Sequence, residues 1–242
     1  MIFDSIEAKQ KILTEFLAVL PFDGWSEESL SKAIKNSGID EKFKNLIFEE
    51  GCLDIAKFYI EEQNNQSNQI IAAIADFSQQ KIREKIRKFL YARFEVEKNN
   101  KIILQRLVNF YLNPKNFASV KYGPRPMIQA LKTCYKIADF IWYKIGDQST
   151  DFNFYTKRIT LSKIILRSLF VFLKDDSNEF EKTKKFIDSE IEKVMKFEKR
   201  KAQIKNFTPK IKKCFTEFCL NENGSLKSTK EIFKNLPFIR LF

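Results

Sequence analysis

The densest run of polar and aromatic side chains is Gly146-Asp147-Gln148-Ser149-Thr150-Asp151-Phe152-Asn153-Phe154-Tyr155-Thr156-Lys157-Arg158. With Asp139 upstream, its aspartates are the groups that could do chemistry. Clustered carboxylates can ligate a metal, and a pair can divide acid and base work on a substrate. A helical di-iron site, however, draws on Glu-x-x-His pairs from facing helices, and this chain has no histidine. The same absence excludes a His-ligated zinc, a Ser-His-Asp triad and an imidazole acid or base. Asp139 and Asp147 straddle an expected helix end, so their spacing fixes no geometry. No catalytic residue, metal ligand or cofactor is assigned, and the chain is read as a non-enzyme. Much of the run reads as helix punctuation: Gly146 to close one helix, Ser149 or Thr150 to open the next, Asp151 near its positive end. Three aromatics within four positions cannot share one stripe. At least one of Phe152, Phe154 and Tyr155 should face outward, where it could anchor a partner.

The elements that carry this run are helical. Six glycines and six prolines in 242 residues are too few for a turn-rich sandwich or barrel, and no strand alternation stands out. Ile6, Leu13, Phe16, Leu17 and Leu20 form a stripe that Pro21–Gly24 interrupts. Ser26 caps a second helix to about Asn36, a Gly38 turn follows, and a short third helix spans about Asp40 to Phe48. That arrangement resembles a helix-turn-helix, although the would-be recognition helix carries or adjoins Asp40, Glu41, Glu49 and Glu50 against Lys42 and Lys44. A fourth helix after Gly51 runs into the polar stretch 61–69, read as a linker between two lobes. Further helices are expected at about 70–96 with a break near Ser78, at 101–112, at 128–145, and from about Ser149 to Leu173. Phe180, Thr183, Ile187, Ile191 and Val194 mark one more. The 159–173 helix is apolar almost all round, which fits a bundle centre, a subunit interface or the wall of an apolar cavity.

Net charge is +12. Residues 81–101 hold 8 basic and 3 acidic residues, a net of +5, and residues 196–242 hold 12 and 4, a net of +8. Such fields favour anionic partners or reflect solubility by lysine. In the tail Phe207, Ile211, Phe215 and Phe218 recur at helical spacing among Lys210, Lys212 and Lys213. That is the pattern of a helix lying on anionic lipid, or of a last helix docked on the bundle. The four cysteines show no CxxC spacing, which suits a reducing compartment. Asp4, Glu7 and Glu15 make the start unlike a signal or transit peptide. The expected location is cytoplasmic, peripheral on the inner membrane of a bacterium.

Around residues 138–158 the sequence resembles the ubiquinone-biosynthesis accessory lipid-binding family, the ninth COQ protein and its alphaproteobacterial homologues. The resemblance rests on Ala138-Asp139, Trp142-Tyr143, Gly146-Asp147, Ser149-Thr150-Asp151-Phe152-Asn153, Tyr155-Thr156 and Arg158. It continues through Leu161, Asp175, Ser177, Thr183 and Phe186. It implies an all-α, TetR-like helical bundle: a helix-turn-helix-like lobe (1–66), a lipid-binding and dimerisation domain (67–200) and a membrane-interaction segment (201–242). It implies a homodimer that binds isoprenoid lipid or phospholipid and presents quinone intermediates to a di-iron hydroxylase at an anionic membrane, without nucleic acid. Asp151, Phe154 and Tyr155 fall on the family's partner-binding surface, with Phe154 where relatives usually have Trp. Lining for the lipid cavity is read from the apolar helix faces: Leu131, Tyr135, Ile164, Ile165, Leu169 and Phe172. The alternative is a TetR-like DNA-binding transcriptional regulator.

Overall fold

Local chemistry sets where the helices begin and end. The computed structural model describes residues 5–117, 123–150 and 152–203, and among them every regular element is a helix, as the glycine and proline count led one to expect. The first lobe comprises α1 (Ser5–Asp23), α2 (Glu27–Asn36) and α3 (Lys44–Ile47). The rest comprises α4 (Cys52–Ala72), α5 (Ile82–Glu97), α6 (Lys101–Leu112), α7 (Pro114–Phe117), α8 (Arg125–Lys144), α9 (Phe152–Leu173) and α10 (Glu181–Gln203). The Ser26 hydroxyl accepts the Ser29 amide at 3.1 Å, so α2 starts where its cap residue dictates. Pro21 does not break α1; it sits in the last turn, and Gly24 with φ +75° ends the chain's helical path. At Gly51, φ is +56° and an added Cβ would fall 2.3 Å from Glu27 Oε1, the oxygen that accepts the Cys52 amide at 2.8 Å.

The stretch 61–69, expected to be a linker, is helical and completes α4, so the expected boundary at 66/67 falls inside that helix. Its Glu, Gln and Asn residues are compatible with a helix, and Gln63 and Ser67 are buried against neighbours that sequence periodicity does not reveal. The break expected near Ser78 in the 70–96 stretch is present: α4 stops at Ala72 and α5 begins at Ile82, with a 3-10 turn at Phe77–Gln79 between.

One continuous core joins both lobes. Trp25 lies against Phe16 of α1 at 5.0 Å, Tyr59 of α4 at 6.1 Å and Phe110 of α6 at 6.4 Å, and its Nε1 donates to the Cys52 carbonyl at 3.2 Å. Behind it α4 packs on α5 and α8, and α8 in turn packs on α6 and α9. α10 closes the far side against α5 and α9 through buried Ile187 and Ile191. Part of the positive charge of residues 81–101 is met by acids within α5 and on neighbouring elements. Arg87 pairs with Glu84 and with Asp188 of α10, and Lys98 with Glu179.

Candidate functional site

Two neighbouring features are built on α8 and α9. The first is the corner between them. Gly146, at φ +85°, turns the chain, and the Asp147 amide donates back to the Trp142 carbonyl at 3.0 Å to close α8. α9 then begins at Phe152 and runs back along α8. This reversal brings Arg158 under the corner, where its side chain is 4% exposed. Nε donates to Asp139 at 2.5 Å, and Nη1 donates to Asp147 and to the Phe154 carbonyl, each at 3.1 Å. Lys157 donates to the other Asp147 oxygen at 2.8 Å and to the Ser149 hydroxyl at 2.5 Å. Burial alone would raise the Asp147 pKa. The hydrogen bonds from Lys157, Ser149 and Arg158 outweigh that effect and hold it down at about 2. Asp139 and Asp147 are therefore engaged as structural acceptors, which leaves them poorly placed to act as a free acid or base.

The aromatics sit on this ionic base. The Arg158 guanidinium carbon lies 3.3 Å from the Phe154 ring centroid, and Tyr155 meets that ring edge-on at 5.1 Å. Phe152, Phe154 and Tyr155 are all half-buried, so each presents part of its ring outward. Asp151 lies outside the described residues. So do Phe207, Lys210, Ile211, Lys212, Lys213, Phe215 and Phe218 of the tail. Arg158 is the organising residue of the corner, which the sequence reading quoted but gave no role. The signal available was an arginine next to Lys157 near the start of a largely apolar helix, seven residues beyond Asp151.

The second feature is an apolar cavity of about 90 Å³ walled by α4, α5, α6, α8 and α9. Of the six lining residues expected, Ile165 and Leu169 face it. Phe172 packs into the core against Phe94 at 4.8 Å and Phe180 at 5.8 Å, while Ile164 faces a different groove, toward α5 and α10. Leu131 is exposed on α8, and Tyr135 is half-buried outside the cavity lining. The sequence reading missed the contribution of α6, whose Leu104, Leu107 and Tyr111 form a wall, and of Arg93 and Glu97 on α5. These last two are buried, 3.4 Å apart. Tyr59 donates to Glu97 at 2.6 Å, and Arg93 to Asn64 at 2.6 Å. Burial raises the Glu97 pKa, with Arg93 and the Tyr59 hydrogen bond pulling against it. Burial likewise pushes the Cys134 thiol up to about 11. An Arg and a Glu four apart on the apolar face of α5 were the available signal. Among the described residues no group of three or more His, Cys, Asp or Glu side chains could hold a metal ion. No described helix is long and apolar enough to cross a membrane.

The fold and these features define an all-α protein with a small internal apolar cavity beside an aromatic corner set on a buried ion cluster. Residues 127–198, spanning nearly all of α8, all of α9 and most of α10, match the COQ9 family model. The mitochondrial ubiquinone biosynthesis protein COQ9 of Rattus norvegicus is 25% identical over 200 residues, covering 83% of this chain and 62% of that protein. The Homo sapiens protein of that name is 24% identical over 200 residues, covering 83% and 61%. The Xenopus tropicalis one is 26% identical over 189 residues, covering 78% and 58%. The chain thus spans about three fifths of the length of these curated relatives. They correct the expected bacterial inner-membrane location, because by name they are mitochondrial proteins. That expectation leaned on acidic residues near the start of the chain, and composition there carries no address.

Proposed function

We propose that this chain is a non-catalytic accessory protein of ubiquinone biosynthesis that holds an isoprenoid or phospholipid chain between α5, α6, α8 and α9. It presents quinone intermediates to a di-iron hydroxylase through the Phe154–Tyr155 corner, working as a TetR-like homodimer whose tail rests on an anionic membrane. The observation that carries this reading is the cavity itself. Its wall is almost wholly apolar, and two of its helices, α8 and α9, lie in the segment that matches COQ9.

Energetics suit a carrier. Each methylene gains roughly 0.8 kcal/mol on leaving water, but almost none on passing from bilayer to an apolar cavity. Such a site need only match the membrane while orienting the head group. At about 90 Å³ the cavity is below the roughly 300–1,000 Å³ of small-molecule sites, so loading requires its wall to move apart. Leu166, Leu169 and Phe170 of α9, none of them fully buried, are the movable part of that wall. The DNA-binding alternative has less to recommend it: α3 has four residues, and acids flank it at Glu41, Glu49 and Glu50.

Native mass spectrometry of the purified chain, before and after incubation with vesicles containing ubiquinone, tests the reading. Bound isoprenoid or phospholipid is expected, with severalfold lower uptake in Leu169→Trp, which fills the cavity. Protein that stays lipid-free under both conditions would remove the basis for it.

A further inference from the structure

A groove distinct from the cavity encloses about 590 Å³ between α5, α9 and α10. Its floor is apolar: Ile86, Leu161, Ile164, Ile191, Val194 and Met195. Its other end is built from the first turns of two helices. Lys81 and Arg83 come from the start of α5, and Asn153, Thr156 and Lys157 from the start of α9. The lining therefore holds three cations and no carboxylate. α5 opens without a side-chain cap, so its first amides add positive potential there, offset in part by Glu84 in the same turn.

The cations are unevenly occupied. Lys157 is committed to Asp147 at 2.8 Å, and Arg83 approaches Glu84 at 3.4 Å and Glu192 at 4.0 Å. Among the described residues Lys81 forms no ion pair and is exposed. Trp142 closes the polar end and also lines an adjoining pocket of about 530 Å³ at Gly146–Thr150. It is 8% exposed, and its Nε1 is buried with no hydrogen-bond partner. A buried indole N–H without an acceptor is uncommon enough to need one.

We propose that this groove is a second ligand site, for a long-chain fatty acid. Its carboxylate lies among Lys81, Arg83, Lys157 and the first amides of α5, and its chain runs along the apolar floor. A neutral lipid would leave the cationic end unused. A free small anion would leave the floor uncovered.

Equilibrium dialysis of radiolabelled palmitate against the full chain, below the micellar concentration, tests this. Palmitate is expected to bind, hexadecanol at least tenfold more weakly. The Lys81→Glu/Arg83→Glu pair should lower palmitate affinity at least tenfold, and Lys81→Gln/Arg83→Gln by a smaller factor. Leu169→Trp, which fills the other cavity, should leave palmitate affinity within twofold and so separates this site from the carrier reading. Equal binding of hexadecanol, indifference to charge reversal, or loss of palmitate in Leu169→Trp would each overturn the proposal.

Discussion

Replacing Arg158 with Leu should destabilise the α8–α9 corner by about 3 kcal/mol. The dominant contribution is the bond to Asp147, in which both side chains are 4% exposed. Hydrogen bonds to charged groups contribute about 1.5–3 kcal/mol net. The bond to Asp139, itself 49% exposed, adds about 0–1 kcal/mol, and the guanidinium on the Phe154 ring about 0.5–1. Breaking a fully buried pair usually costs about 3–5 kcal/mol because a charge is stranded. Here Asp147 keeps Lys157 and Ser149, which holds the cost at the lower end of that range. The assay is urea denaturation, reading the midpoint at constant slope. A cycle with Asp147→Asn should return a coupling of at least ~1.5 kcal/mol. A loss below about 1 kcal/mol, or no coupling, would refute the assignment of Arg158 as the organiser of the corner.

Acid should weaken the fold. The folded pKa values of Asp147 and Asp175 both lie below the ordinary 3.8, so their contribution is complete above about that pH. It is lost as pH falls toward about 2, and a urea midpoint that stays constant from pH 5 to 2 would contradict this. Asp175→Ala should cost about 2 kcal/mol and speed hydrogen exchange at the Thr183 amide, which now donates to Asp175 at 2.7 Å. Gly51→Ala should cost about 1–3 kcal/mol in the same denaturation assay, because it combines a positive φ with a Cβ forced against Glu27. Phe154→Ala should weaken co-purification with the di-iron hydroxylase severalfold while moving the melting temperature little; unchanged co-purification would remove Phe154 from the partner surface.

The sequence was most legible where a local group decides. Ser26 set the start of α2, Asn113 and Pro114 the end of α6, and Gly146 the end of α8. It was misleading where burial decides. The polar stretch 61–69 looked like a connector because Gln63 and Ser67 carry no hydrophobic signal, yet both lie inside. The candidate site was legible to the same degree. Periodicity identified which faces of α8 and α9 are apolar, but not which neighbour each face meets. Ile164 and Ile165 are adjacent in sequence and line different spaces, one between α5 and α10 and one against α6. The apolar faces of Leu104 and Leu107 gave no sign that they would wall a cavity. The corner was recognised through its motif, while the ion cluster beneath it depends on a chain reversal that spacing does not specify.

The unbroken course of α4 has a consequence for how the molecule can be taken apart. At 21 residues it is about 31 Å long, and it carries Tyr59 and Ile60 between the Trp25 cluster and the wall of the apolar cavity. The first lobe is therefore not a detachable cassette. Removing it would strip Trp25 from Tyr59 of α4 and expose Phe110, which stacks on Trp25. Equilibrium unfolding should follow a single transition across both lobes, and limited proteolysis should spare 61–69. The first lobe serves as a buttress for the larger one.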